Sequence, residues 1–206
     1  MDSKLKLSVS ERVFLSLTLS YSLLCFVFAF LLEKGREVVV LSANYSEKWN
    51  LFFSYVTQLA EWEGIVFFSA IILLMNKRHL LAFGISLLLE TVIVQSTKFM
   101  LAQERPRAWA QLNHIPLPIQ ASELLHHSFP SGHTALVFCM AYCLVILIND
   151  WKWTVLLFVL ALFVSFSRVY LMAHFVIDTG AGALIGCAAG FAGNYISRQL
   201  PINNRQ

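Results

Sequence analysis

Residues 128–148 read SFPSGHTALVFCMAYCLVILI, in which a short polar segment leads directly into an apolar run. Pro130 disfavours regular helix at the residue before it, and Gly132 lets a ligand approach the backbone closely. The apolar run, residues 133–149, is long enough to cross a bilayer as a helix. This stretch therefore predicts a membrane helix whose first turn carries polar groups at the membrane surface.

The composition of the whole chain is typical of a membrane protein. The chain has 206 residues, of which 58% are hydrophobic and 13% are charged, whereas roughly 25% of the residues in soluble domains are charged. The formal net charge is only +3 and no basic run occurs, which argues against nucleic-acid binding. We therefore expect one membrane-embedded domain over residues 1–206, with the lipid bilayer as its surroundings.

Six apolar segments predict an all-α bundle of six transmembrane helices. The segments cover residues 13–32, 63–76, 79–100, 133–149, 152–168 and 175–196. Helices are the expected form because they satisfy their own backbone hydrogen bonds in lipid. The first segment follows Lys4, Lys6 and Arg12, but it is longer than the apolar core of a signal peptide, so we expect it to be a retained helix.

Basic residues predict how the bundle is oriented, because lysines and arginines favour the cytoplasmic side of a membrane. With six crossings, eight basic residues lie on the same side of the bundle: Lys4, Lys6, Arg12, Lys77, Arg78, Lys152, Arg198 and Arg205. Both termini are then cytoplasmic, in what we expect to be a bacterial inner membrane. The two long connections, residues 33–61 and 102–127, face outward.

Two polar clusters on the outward side contain groups that bind anions. The first holds Lys98, at the end of the third segment, and Arg105, seven residues later. The second holds Ser131, Gly132 and His133 at a helix start, where unpaired backbone N–H groups and the helix dipole favour a phosphate. Each cluster also has a simpler interpretation, since interfacial cations and serine helix caps are common.

The third cluster holds Arg168, His174 and Asp178. His174 and Asp178 are four residues apart and would share one face of a helix. A carboxylate bonded to one imidazole nitrogen leaves the other nitrogen free as a nucleophile, although a purely structural His–Asp pair is the alternative. Together the three clusters suit a tetrahedral oxyanion such as phosphate. No acidic cluster offers a magnesium site, so the cations are expected to neutralise the phosphate charge without a metal.

The three clusters resemble the tripartite signature of the type 2 phosphatidic acid phosphatase (PAP2) superfamily, which also includes vanadium haloperoxidases. The matching motifs are K-x6-RP at Lys98–Pro106, PSGH at Pro130–His133 and SR-x5-H-x3-D at Ser167–Asp178. They match at every defining position and in the same order. The resemblance implies a PAP2-type helical core and a membrane phosphatase that acts on a lipid phosphate at the outer face, without a metal or other cofactor.

The resemblance also implies a role for each matched residue. His174 would be the nucleophile that forms a phosphohistidine, Asp178 would orient it, and His133 would be the general acid for the leaving group. The phosphate oxygens would be held by Lys98, Arg105, Arg168, Ser131 and Gly132.

Several substrates remain open at this point. Undecaprenyl diphosphate and lipid A are favoured because the small outer loops leave room for a large head group; phosphatidylglycerol phosphate and phosphatidic acid are alternatives. Phosphate transfer to a second lipid is another reaction within the family. A transporter or non-catalytic binding protein is a different class, and a haloperoxidase is disfavoured because such enzymes are typically soluble.

Four further polar residues are expected to have no direct part in catalysis. Glu90 lies in the middle of the third segment, where a hydrogen-bonded structural group between helices is the favoured interpretation. His114, His126 and His127 lie in the long outer connection, where loop histidines are most often incidental; lining of the substrate entrance is the alternative for His126 and His127.

Overall fold

The structure, a computed structural model, describes residues 6–77, 79–118, 122 and 124–200. Within these residues every regular element is helical, which confirms the all-α prediction. The α-helices are α1 (Val9–Leu31), α2 (Arg36–Ala43), α3 (Glu47–Thr57), α4 (Trp62–Asn76), α5 (His79–Leu101), α6 (Pro106–Leu112), α7 (Gly132–Ile148), α8 (Trp151–Tyr170) and α9 (Val176–Gln199). A 3₁₀ turn, Gln58–Ala60, joins α3 to α4.

Helices occur at all six predicted segments, as α1, α4, α5, α7, α8 and α9. Of these, α1, α5, α8 and α9 are long and apolar enough to cross a membrane. The 15-residue α4 continues α3 across a bend of 50°, and this pair passes the same test only when taken together. The apolar α7 has 17 residues. The membrane bundle is therefore confirmed. Among the described residues four helices, or five with the bent pair, are long and apolar enough to cross a membrane, so the predicted count of six crossings is not confirmed.

The central helix of the bundle is α7. It packs against α9, α8, α5, α1 and α4. Nearly every side chain between Thr134 and Val145 is buried. A helix that is apolar around its whole circumference is expected in the interior. The sequence that predicts the membrane helix therefore also supplies the centre of the packed core.

Two glycines let α9 approach α7 closely. A Cβ atom at Gly182 would collide with the carbonyl oxygen of Ser131, and one at Gly186 would collide with the carbonyl oxygen of Ala135. Small residues at this spacing allow the backbones of membrane helices to come together. As a result, the first turns of α7 and α9 lie side by side, and the N–H of Ser131 donates to the carbonyl oxygen of Asp178 over 3.0 Å.

The connection between the first two predicted segments is helical instead of an open loop. It contains α2, α3 and the 3₁₀ turn, and both helices pack against α8. Charged residues at the start of each short helix interrupt the apolar pattern, so the sequence gives no long periodic signal there. This segment brings Thr57 and Glu61 to the polar end of the bundle.

The structure shows which basic residues share one end of the bundle. Lys77 follows α4, Lys152 lies in the first turn of α8 and Arg198 lies in the last turn of α9. All three are at the end opposite to the start of α7. Three other residues used for the predicted orientation, Lys4, Arg78 and Arg205, lie outside the described residues.

Candidate active site

All three polar clusters meet at one end of the bundle, where α5 and α8 end and α7 and α9 begin. A cavity of about 320 Å³ lies between these elements. Six of the eight predicted site residues line it: Lys98, Arg105, Gly132, His133, Arg168 and His174. The other two, Ser131 and Asp178, are fully buried behind the cavity wall.

His174 and Asp178 form a close pair. Nδ1 of His174 lies 3.5 Å from Oδ2 of Asp178, and their side chains are 2% and 0% exposed. The two residues do not share a helix face as expected, because α9 begins only at Val176. Asp178 lies in the first turn of α9 and turns its carboxylate back towards the residues that precede the helix. The contact leaves Nε2 as the ring nitrogen that does not face the carboxylate.

Burial makes the imidazole of His174 hard to protonate. It lowers the pKa of His174 to about 4, although the adjacent Asp178 opposes this shift. Desolvation disfavours the charged form of any buried group, and here it outweighs the attraction of the carboxylate. His174 is therefore neutral at neutral pH, which is the state that a nitrogen nucleophile requires.

Two hydrogen-bond donors hold Asp178 in place. The hydroxyl of Ser128 donates to Oδ2 of Asp178 over 2.5 Å, and the N–H of Phe175 donates to the same oxygen over 3.0 Å. Ser128 is fully buried. This contact could not be predicted from the sequence, because Ser128 precedes the PSGH motif and lies 50 residues from Asp178.

Ser131 caps α7. Its Oγ accepts the N–H of Thr134 at 3.4 Å and the hydroxyl of Thr134 at 3.0 Å. This is the simpler interpretation of that residue, and the structure places its hydroxyl away from the cavity. Gly132 does border the cavity, because a Cβ there would meet only Val94 and Lys98, at 3.6 and 4.0 Å. The first backbone N–H groups of α7 thus lie beside a cationic side chain.

The side chain of Arg105 forms hydrogen bonds with the backbone of two loops. Its Nε donates to the carbonyl oxygen of His126 over 2.9 Å, Nη1 to that of Ala173 over 3.1 Å, and Nη2 to that of His127 over 3.4 Å. These bonds join the segment before α7 to the segment that carries His174. Arg105 therefore supports the shape of the cavity as well as contributing a positive charge.

Lys98 and Arg168 keep N–H donors that no group among the described residues accepts. Nζ of Lys98 donates to the carbonyl oxygen of His127 over 3.3 Å and carries two further N–H bonds. Nη1 of Arg168 donates to the hydroxyl of Thr57 over 2.8 Å. Nε of Arg168 is buried without a hydrogen-bond partner among the described residues. Such donors on two cations suit a bound oxyanion.

The loop histidines differ in their surroundings. Nδ1 of His127 lies 2.9 Å from the carbonyl oxygen of Lys98, so this residue fastens the loop to the end of α5. His126 contributes its backbone carbonyl to Arg105. His114 follows α6 and does not line the cavity. His127 thus has a structural contact with the end of α5, while its part in catalysis stays untested.

His133 pairs with a residue that the sequence did not indicate. Its Nε2 lies 3.5 Å from Oε1 of Glu61, and the two side chains are 31% and 42% exposed. Glu61 precedes the first turn of α4. The pair is separated by 72 residues, and the Arg168–Thr57 pair by 111. No local spacing links such residues, so only the packing of the bundle shows these contacts.

Glu90 also borders the cavity. Its side chain is 4% exposed, and Thr91, one residue later, donates its hydroxyl to Oε2 over 3.3 Å. Val94 and Gln95 extend the same wall of α5. Glu90 is thus placed next to the space in which we expect a ligand, in addition to lying among packed helices.

The PAP2 superfamily profile matches residues 79–201. The chain belongs to the PAP2 superfamily. The matched range contains all eight predicted site residues, whereas Thr57 and Glu61 precede it.

Three proteins show the extent of the likeness to PAP2 members. An undecaprenyl-diphosphatase of Sulfolobus acidocaldarius is 31% identical over 118 residues, which are 57% of this chain and 55% of that relative. The match therefore spans about half the length of the relative. The crystal structure of Aquifex aeolicus LpxE superposes with a TM-score of 0.64 and 26% identity, covering 75% of this chain and 90% of that one.

The third is the transmembrane PAP2-type phosphatidylglycerolphosphate phosphatase of Bacillus subtilis. It superposes with a TM-score of 0.58 and covers 91% of this chain and 96% of its own. At 22% identity this likeness concerns the fold alone. With the apolar helices, these comparisons show that the protein is an integral membrane protein with a PAP2 fold.

Proposed function

We propose that this PAP2 protein is a lipid-phosphate phosphatase in which His174 forms a phosphohistidine intermediate. One observation carries the proposal: a neutral, buried imidazole lines the same cavity as Lys98, Arg168 and the first turn of α7. A phosphate ester would find cationic and amide donors for its oxygens next to a nucleophile for its phosphorus. The cations would neutralise the negative charge of the phosphate, as a metal does in other phosphatases. Arg105 would support the shape of the cavity and add a positive charge.

The first step would transfer the phosphoryl group to the protein. Nε2 of His174 attacks the phosphorus with its lone pair, and the bond between phosphorus and the lipid oxygen breaks. The leaving oxygen takes a proton from His133, whose protonated form the negative charges of Glu61 and of the bound phosphate would stabilise. The lipid then departs as an alcohol or, from a diphosphate, as a monophosphate. Asp178 keeps the ring oriented and stabilises the positive charge that develops on it.

The second step would return His174 to its starting state. A water molecule attacks the phosphorus, the bond between phosphorus and nitrogen breaks, and His133 accepts a proton from the water. Inorganic phosphate leaves. Ser131, which we expected at the phosphate, would act in both steps by holding the first turn of α7 in place through its cap.

We infer that the cavity opens at the extracytoplasmic face of a bacterial inner membrane. The basic residues Lys77, Lys152 and Arg198 lie at the opposite end of the bundle, and such residues favour the cytoplasmic side. The lipid tail of the substrate would stay in the bilayer while its phosphate reaches the end of α5.

The candidate substrates are membrane lipids that end in a phosphate. Undecaprenyl diphosphate is the substrate named for the Sulfolobus relative, and phosphatidylglycerolphosphate is named for the Bacillus structure. Lipid A and phosphatidic acid complete the set, with undecaprenyl diphosphate and lipid A favoured by the small outer loops.

The proposal is tested by phosphate release from these four lipids. The protein is purified in detergent and assayed with excess EDTA, beside His174→Ala and, as a matched control, His114→Ala, which changes a histidine outside the cavity. Release that withstands EDTA, is lost in His174→Ala and persists in His114→Ala supports the proposal. Equal release by His174→Ala overturns it. A labelled phosphate found on a second lipid, with none released, would instead indicate phosphate transfer.

A further inference from the structure

The two ends of the cavity differ in charge. The end near the membrane surface carries Lys98, Arg105 and Arg168, whereas Glu90, Thr91 and Gln95 line the other end. Glu90 precedes Lys98 by eight residues on α5, which is about 12 Å along the helix axis. The cavity is therefore suited to a molecule that is anionic at one end and not at the other.

The cavity is larger than a single phosphate group. Its volume of about 320 Å³ equals about ten water molecules at roughly 30 Å³ each. A phosphate has five non-hydrogen atoms, each smaller than a water molecule, and would fill less than about half of this space. With the phosphate at the cationic end, the space lined by Glu90, Val94 and Leu136 stays free. The group bonded to the phosphate would occupy it.

The polar groups at this inner end can all accept hydrogen bonds, and Thr91 and Gln95 can also donate them. Glu90 is 4% exposed, and the hydroxyl of Thr91 is the donor that contacts its carboxylate among the described residues. Thr91 and Gln95 have exposed side chains within a membrane helix, where polar groups are costly unless they have a partner. A second phosphate would be repelled by the carboxylate, and an apolar chain would leave these groups unsatisfied. A hydroxyl or amino group would satisfy them.

We propose that Glu90, with Thr91 and Gln95, forms a head-group subsite that binds a hydroxyl or N–H group of the alcohol to which the scissile phosphate is attached. The proposal rests on the phosphatase function and names the substrate class within it. A phosphorylated glycolipid and phosphatidylglycerol phosphate carry such a donor near the phosphate. Undecaprenyl diphosphate and phosphatidic acid do not, so of the two lipids favoured by the small outer loops the subsite selects lipid A over undecaprenyl diphosphate. Glu90 thus becomes a specificity-determining residue instead of a purely structural group.

The subsite is tested with two substrates that differ by one hydroxyl. The two substrates are phosphatidylglycerol phosphate and its analogue without the free glycerol hydroxyl, compared by kcat/KM in mixed micelles. A phosphorylated glycolipid tests whether an N–H group binds at the same place. The wild-type protein should prefer the hydroxyl-bearing lipid by at least about tenfold, the effect of one good hydrogen bond. Glu90→Leu should reduce this ratio towards one. Glu90→Gln, which keeps an acceptor of the same shape, should retain part of it.

The control is Glu63→Gln, which changes an exposed acid on α4 and should leave the ratio as in the wild type. A wild-type ratio of one, or an equal loss on both lipids in Glu90→Leu and Glu90→Gln, overturns the subsite while leaving the phosphatase function standing. If Glu90→Leu does not fold, the kcat/KM ratio of Glu90→Gln for the two lipids tests the subsite by itself. Absence of release from every lipid by folded wild-type protein overturns both proposals.

Discussion

Oδ2 of Asp178 lies 3.5 Å from Nδ1 of His174 and accepts hydrogen bonds from the hydroxyl of Ser128 and the N–H of Phe175. One carboxylate oxygen therefore connects the segment before α7, the start of α9 and the imidazole. In the proposed mechanism this contact would orient the imidazole and so reduce the reorganisation that attack on phosphorus needs.

Asp178→Asn is expected to lower kcat by about 10³-fold or more, because an amide neither fixes the tautomer of His174 nor stabilises its positive charge. Ser128→Ala should have a smaller effect, about tenfold, since the carboxylate remains but loses one donor. Steady-state phosphate release measures both. The matched control is Ser54→Ala, which removes a hydroxyl bonded within α3, far from the pair. Equal rates for Asp178→Asn and wild type would contradict the assignment of Asp178.

The role of His133 as general acid is tested through the leaving group. His133→Ala should lower kcat by about 10²- to 10⁴-fold on a lipid phosphate, whose alkoxide needs a proton to leave. The loss should be much smaller on an aryl phosphate such as p-nitrophenyl phosphate, whose leaving group needs no proton. Glu61→Gln should show the same pattern to a lesser degree, because Glu61 contacts His133. An equal loss on both substrates would assign His133 to phosphate binding instead.

Burial of His174 predicts a pH dependence of stability. The pKa of His174 is lowered to about 4 in the folded protein, whereas an exposed histidine in the unfolded chain titrates near 6.5. Between these values the unfolded state binds more protons, so this residue destabilises the fold as the pH falls from about 6.5 towards 4. The Tm in detergent should therefore fall less between pH 7 and pH 4.5 in His174→Gln than in the wild type. An identical fall in both proteins would contradict a buried neutral imidazole.

Close packing of α9 on α7 predicts a strong effect of side-chain size at Gly186. Gly186→Val should destabilise the fold by about 1–3 kcal/mol or more, because its side chain would collide with the carbonyl oxygen of Ala135. The matched control is Gly84→Ala on α5, where an added Cβ has nothing within 4 Å. Thermal unfolding in detergent should show a lower Tm for Gly186→Val only. Equal Tm values for both variants would show that the helices are not in contact at this position.

Much of the fold follows from local signals in the sequence. Long apolar runs indicate α1, α5, α8 and α9, and the turn residues before Gly132 indicate where α7 begins. The short helices α2 and α3 could not be predicted from apolar runs, because their apolar faces are only a few residues long and pack against α8. The bend between α3 and α4 depends on tertiary packing, so the number of crossings cannot be counted from apolar runs alone.

The site was predictable where its residues occur in motifs and not where packing brings them together. Lys98, Arg168 and His174 come from motifs and line one cavity. Ser128, Thr57 and Glu61 contact motif residues from positions 50 or more residues away, and no spacing rule relates them. The motif also predicts Ser131 at the phosphate; in the structure its Oγ accepts hydrogen bonds from the N–H and the hydroxyl of Thr134, a helix cap that the sequence also allowed.

The most direct test of the central claim is to trap the phosphorylated protein. The purified protein is mixed with a lipid carrying a radiolabelled terminal phosphate, quenched in alkali on the millisecond scale and examined for bound label. If His174 forms a phosphohistidine, the wild-type protein should carry label that is stable in base and released in acid, and folded His174→Ala should carry none. Phosphate release by the wild type without any labelled protein at any time, or equal labelling of His174→Ala, would contradict it.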